Sequence, residues 1–449
     1  MQIRHRLIGL AAVAVLGLSG LAGCAATTAT TTSTTASAAA PGAPGAPGGG
    51  SGTASVTALG TYSVTTGTET SSSQSYTASA ANTSGVLVTG GTLTLTNATV
   101  TTSGASTSSD ESSFYGLDAG VLVKNATLTM TGGSVSTTGA GANGVFAYGT
   151  GVITISDTTI NATGQFGHGI MASGGGTITA TNVTANTTNT NGAVIATDRG
   201  GGTITVKGGT YTTSGTDSPG IYSTGTIAAT GATVTATGAE AAVIEGSNTI
   251  TLTDTTMAGA KKSGVMFYQS MSGDATGSES KYTQTGGSLS AAEGPLLYVT
   301  NATGEVTLSN VKTTATSGVL LKAAADKWGT SGSNGGNAIL NATSETLTGD
   351  VVVDSVSTAK ITLTGSSWTG ALDSANTAKS TSLTLTGSSS WTVTSDSYID
   401  SLTGAAISGS SVTNITGNGH TVYYNASTST ELGGKTYTLA GGGTLKPMS

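Results

Sequence analysis

Along most of the chain, one pattern of apolar and polar positions returns. It reads apolar, Thr, turn-former, any residue, Thr or Ser, apolar, as in Leu95-Thr96-Asn97-Ala98-Thr99-Val100 and Met130-Thr131-Gly132-Gly133-Ser134-Val135. Further turn-formers stand at Asp157, Asn182, Gly208, Gly231, Asp254, Gly286 and Asn310, then less regularly at Asn341, then at Gly365, Gly387 and Gly409. Before each one, Leu93 and Leu95, Leu128 and Met130, Ile153 and Ile155, or Ile204 and Val206 alternate with Thr. A period of two built on β-branched residues predicts a half-buried strand. Asn, Asp and Gly enter the left-handed backbone region cheaply, so that column predicts a sharp corner between two strands. A third strand starts at Gly120-Val121, Gly144-Val145, Gly169-Ile170 and Gly318-Val319.

Corners about 23 residues apart, with occasional longer gaps, are the mark of a solenoid. Three short strands per coil predict an all-β fold, a parallel β-helix of roughly 13 three-strand rungs, about 60 Å long at the usual strand spacing. Composition supports this. Charged residues make up 8% and aromatics 4%, with 69 glycines, too few large side chains for a thick globular core. Val, Ile and Leu nonetheless recur at every inward position, which a disordered chain lacks.

The N-terminus carries an address. Arg4, His5 and Arg6 precede an apolar run from Leu7 to Leu18, too short to span a bilayer comfortably and laid out like a cleaved signal. Leu21-Ala22-Gly23-Cys24 resembles a bacterial lipobox. The resemblance implies cleavage after residue 23, lipidation of Cys24 and display on the cell envelope, at the cell surface or outer membrane. Cys24 is the only cysteine, so no intrachain disulfide can form. Residues 24–53, rich in Ala, Thr, Pro and Gly, read as a tether. Residues 54–84 read as an N-terminal cap over the first rung, and 85–449 as the helix with its C-terminal cap.

Without its signal the chain carries 13 Lys plus Arg against 22 Asp plus Glu, a net of −9. That argues against nucleic acid as a partner and implies no cofactor. Arg199 is the sole arginine after the signal, and Asp198-Arg199 in a Gly-rich turn reads as a local ion pair. Gly167-His168-Gly169 looks like the histidine motif of polygalacturonases. The aspartates that should accompany it are missing: Asp157 stands in a corner column and Asp118 has no acidic neighbour. His168 is therefore expected to be exposed in a turn, with no catalytic or metal-binding set around it.

Binding has more candidates. Insertions near 268–281 and 325–336 suit recognition loops, the second bearing Trp328. Tyr148, Glu245, Tyr268, Tyr298 and Lys322 occupy equivalent positions that would stack into an outward strip able to meet sugar rings. Strict alternation places Leu122, Phe146, Met171, Tyr222 and Met266 on that same face, as an exposed apolar stripe or beneath a bulge or packed loop. A separate column, Thr94, Thr129, Thr154, Thr179, Thr205 and Thr251, would form a threonine ladder similar to the ice-binding faces of threonine-rich solenoids, interrupted at Lys207, Ala228 and Glu305.

The rungs together resemble the right-handed β-helix, pectin-lyase-like superfamily, and above all the adhesive passenger regions of autotransporters and surface proteins. Ser389-Ser390-Trp391 through Leu402 is similar to the closing part of such passengers. This resemblance implies a lipid-anchored adhesin binding a carbohydrate or another cell-surface ligand without catalysis. Alternatives within the same frame are a polysaccharide lyase or hydrolase, and ice binding.

Overall fold

The computed structural model describes residues 56–270, 272 and 274–448. The signal, Cys24, the tether and the first two residues of the expected cap lie outside them. The described chain is a parallel β-solenoid of about 16 turns, more than the 13 counted from the corners. Each regular coil contributes one strand to each of three sheets. Val121–Lys124, Val145–Tyr148 and Ile170–Ser173 belong to the first, twelve-stranded sheet. Thr127–Thr131, Val152–Ser156 and Thr177–Thr181 belong to the second, of fourteen strands. Ser134–Thr137, Thr159–Ala162 and Thr184–Thr187 belong to the third, of ten.

Register follows the hydrophobic pattern without slippage. Leu128, Ile153, Ile178, Ile204, Ile227 and Ile250 are successive partners, all fully buried. A one-residue slip would turn this whole row out to solvent and bring the threonines in, which is why the row aligns. The expected corners adopt the left-handed conformation: φ is 50° at Asn97, 53° at Asp157, 51° at Asn182 and 48° at Asp254. The irregular copy is different. Asn341 lies inside the strand Asn337–Thr343, and the corner falls at Ser344, with φ of 57°.

The stretch read as a cap is itself the first coil, since Leu59–Val64, Thr68–Ser72 and Ser75–Ala78 pair in parallel with the coil that follows. Val64, Tyr76 and Ala78 are buried in it, but its second strand is polar. Glu69 and Ser71 stand in register with Leu93 and Leu95. The Tyr62 hydroxyl donates to Glu69, Ser71 and Tyr76 share a hydrogen bond of 2.6 Å, and the two tyrosine rings stack at 4.8 Å. Glu69 is exposed at this end, in register with a core column, and a charge there discourages another strand or chain from extending the stack. Towards the other end, Trp368 and Trp391 stack inside the rod at 5.2 Å, each indole N–H donating to a carbonyl at 2.9 Å, so neither buried donor is left unpaired. A fourth sheet closes that end with the antiparallel pair Tyr437–Ala440 and Thr444–Pro447.

The outer surfaces of the first two sheets differ. On the first, Leu87, Leu122, Phe146, Met171 and Ala196 form a second, buried apolar cluster. The stripe foreseen from alternation is therefore covered over these residues, while Tyr222 and Met266 further along are half-buried. The cover is an excursion holding the short helix Ser109–Tyr115, started by Ser108, whose side chain accepts from the Glu111 amide, and ended by Gly116 at φ 77°. A Cβ at Gly116 would come within 2.7 Å of Leu122 and Phe146, so only glycine lets the helix settle this close. Phe114 packs down from it, and Ser173 Oγ donates to the Phe114 carbonyl at 2.5 Å.

Candidate functional site

Two outward columns run along the first sheet, and its expected strip is divided between them. Glu245 and Tyr268 are partners in one column, where Tyr268 next meets Thr300. Tyr298 and Lys322 are partners in the other, beside Met266. Tyr148 sits farther along the first column, with Lys124 over its ring and Tyr115 edge-on. Glu245 and Tyr268 are each only 2% exposed. The expectation that they face solvent is thus corrected: they point away from the rod's interior but are buried. What alternation could not foresee is that the chain after Tyr268 folds back over them.

That fold-back builds a polar cluster. Glu245 Oε2 accepts from the hydroxyls of Tyr222 at 2.5 Å and Tyr268 at 2.7 Å, and Oε1 accepts from Ser270. Trp328, from the second insertion, packs tilted against Tyr268 with ring centroids 5.0 Å apart. Tyr298 stays half-buried; its hydroxyl donates to Asp326 at 2.9 Å, and the Lys322 ammonium lies 5.2 Å from its ring centre.

Arg199 joins two of the excursions. It does not pair with the Asp198 carboxylate as the sequence suggests. Its Nε and Nη2 instead donate to Asp274 Oδ1 at 3.0 and 2.8 Å, while the guanidinium lies 3.9 Å from the centre of the Phe114 ring. Stacking and two-donor contact are what a guanidinium can combine and an ammonium cannot. Asp198 beneath it accepts the Arg199 amide at 2.8 Å. Burial pushes the Asp198 carboxyl up to about 8; Asp274 and Glu245 add to this, while the Arg199 amide and charge oppose it. Asp198 therefore carries its proton at neutral pH.

Beside this cluster, at the bend between the first and second sheets, lies an open groove of about 750 Å³. Its floor is the backbone of Gly175, Gly200, Gly201, Gly202 and Gly225, and its walls carry Arg199, Thr203, Thr224, Thr226, Asn248 and Asp274. Thr224 is 4% exposed and its hydroxyl has no hydrogen-bond partner. A buried hydroxyl left unpaired is costly, and this one is sealed from the groove rather than open to it. Neither Asp198 nor Glu245 lines the groove.

The histidine expected in an exposed turn is buried. The His168 amide donates to Asn143 Oδ1 at 2.9 Å, and Nδ1 is 3.2 Å from the Ala193 carbonyl, so neighbouring coils pack over it. Burial pulls its pKa down to about 4, against the pull of that carbonyl, which leaves the ring neutral. Asp118 accepts the amides of Asn82 and Thr83, each at 2.9 Å, an ordinary loop fastening. Among the described residues no group of three or more His, Cys, Asp and Glu is placed to hold a metal ion.

The threonine ladder is brought together. Thr94, Thr129, Thr154, Thr179 and Thr205 are successive partners; Ala228 follows, then Thr251, Thr283 and Thr307. None of the ladder threonines is buried, so this face of the second sheet lies bare. Parallel columns flank the ladder, among them Thr92, Thr127, Val152, Thr177 and Thr203. Lys207, Lys281, Glu305 and Lys360 break the flanking columns, with Lys281 and Glu305 paired at 3.1 Å. No protein-family model matches the chain, and no curated protein does either.

Proposed function

We propose that the protein is a lipid-anchored rod, displayed on the cell envelope through Cys24, that binds a neutral oligosaccharide in the Thr224 groove without catalysis. The observation that carries this reading is the groove itself, with the exposed Thr203 and Thr226 and the half-buried Asn248 on its wall. Its volume lies within the range of about 300–1,000 Å³ typical of small-ligand sites. The lining offers hydroxyls, an amide and peptide groups, the partners that sugar hydroxyls take. Arg199 is matched by Asp274 and Asp198 is neutral, so the wall holds no surplus positive charge to select an acidic sugar. Asp198 and Glu245 lie off the groove, and Asp274 on its wall is held by Arg199 with no second acid beside it there, which is why binding is favoured over hydrolysis or elimination. Calorimetric titration of the full-length chain with neutral and uronate oligosaccharides tests this. Neutral sugars should bind, and the double variant Thr226→Val, Asn248→Ala should weaken them at least tenfold. Equal binding by the variant, or binding of uronates alone, would refute it.

A second reading, ice binding, is favoured by the bare ladder. Its hydroxyls repeat at about 4.8 Å along the rod and about 6.7 Å across it, the flat regular array that ordered water requires. The charges at Lys207, Lys281, Glu305 and Lys360 count against it. Thermal hysteresis in solutions of the full-length chain would support this reading, and normal freezing would remove it.

A further inference from the structure

At the bend from the third sheet back to the first, three consecutive coils set one lysine between two acids. Asp217 precedes the strand Ile221–Ser223, Glu240 precedes Ala242–Glu245, and Lys262 precedes Val265–Tyr268. The Lys262 ammonium contacts Asp217 Oδ1 directly and lies 3.5 Å from Glu240 Oε1. The acid side chains are largely sunk in the protein, 15% and 7% exposed, with the lysine reaching over them. A nearby pair provides a contrast. Lys261 and Glu293 also touch, but both side chains are more than half exposed, and among the described residues no second acid pairs with that lysine.

We propose that Asp217 and Lys262 become joined by a side-chain amide bond within the folded protein, with Glu240 as the proton shuttle. Lys262 first gives up a proton to the neighbouring carboxylates, and its neutral Nζ adds to Cγ of Asp217. Glu240 protonates the departing oxygen and takes the proton released from nitrogen. One N–C bond forms, one C–O bond breaks, one water leaves, and no electron is transferred. Glu240 ends in the protonation state in which it began. Burial favours the proton-bearing form of Glu240, although Lys262 opposes this, so the acid is suited to the role. Lys262 itself is held above its usual pKa: desolvation pulls it down, but the two acids outweigh that, so the reaction begins from the ion pair. The product is a staple across the intervening coil, between residues 45 apart in sequence. It would restrict the unfolded chain as a disulfide does, in a chain whose single cysteine allows none.

Intact-mass measurement of the full chain beside its Lys262→Arg variant tests the bond. Measured against Lys262→Arg and corrected for that substitution, wild type should be lighter by one water, and digestion should release a branched peptide linking Asp217 to Lys262. Lys262→Arg and Asp217→Ala should show full mass, and Glu240→Gln should remain largely unlinked while its circular dichroism stays that of wild type. Full mass in folded wild type after prolonged incubation would overturn the proposal and leave an ion pair. A water loss mapping elsewhere, or Glu240→Gln linking as fast as wild type, would overturn it as well.

Discussion

The outer faces of the first and second sheets come from the same coils and the same alternation, yet they meet different fates. On the second sheet, Thr94, Thr129, Thr154 and Thr179 line up, and no described residue buries them. On the first, Leu122, Phe146 and Met171 line up just as regularly and are sealed from water by a helix inserted between coils. A bare face needs side chains that solvent tolerates, and threonine combines strand preference with a hydroxyl. A covered face can hold apolar and ionisable groups, because partners arrive from elsewhere in the chain. The lesson is that a solenoid's repeats set direction, while its insertions decide environment.

The sharpest way to break the contrast is Phe146→Ala. Removing a fully buried aromatic from beneath the helix should cost about 3–5 kcal/mol. Because solenoid stability is local, hydrogen exchange should accelerate across residues 103–148 more than at the far end of the rod. Next comes Arg199→Ala, which strips the partner from a mostly buried Asp274 and should cost about 3 kcal/mol. Limited proteolysis should then cut within residues 269–278, and Arg199→Lys should rescue little, since an ammonium cannot both stack on Phe114 and supply two donors to Asp274.

A smaller effect separates the faces by pH. Asp198 ionises near 3.8 in the unfolded chain but keeps its proton to about 8 when folded. The folded state thus binds more protons between those values, and this group's contribution to stability declines as pH rises through that window. His168 acts in the opposite sense, from about 4 to 6.5, where the folded ring refuses the proton that the unfolded one accepts. Asp198→Asn should remove the first slope and leave the second, read as denaturation midpoints that no longer fall between pH 6.5 and 8. The smallest change belongs to the bare face: Thr154→Ala should shift stability by no more than about 0.5 kcal/mol in chemical denaturation.

Much of this architecture is legible in the sequence because it is local. Asn97, Asp157 and Asn182 are corners for reasons contained in their own backbone preference, and the corner at Ser344 escaped notice because serine is a weaker signal than the Asn341 three residues before it. The site was less legible. Alternation turned Glu245 and Tyr268 outward but carried no information about a loop returning over them. Arg199 and Asp274 lie 75 residues apart, and the only hint was one arginine in the acidic stretch after the signal and one aspartate within an insertion already singled out. His168 misled because a glycine-flanked histidine reads as a turn, whereas here the turn is packed between Asn143 and Ala193 of adjoining coils.

The most direct test of where the rod does its work is a hydrogen-exchange footprint of the full-length chain with and without a bound neutral oligosaccharide. Protection should gather at residues 174–176, 199–203, 224–226, 247–248 and 274–276, leaving the threonine ladder unchanged. Protection running instead along Thr94, Thr129, Thr154, Thr179 and Thr205, with the groove untouched, would contradict it.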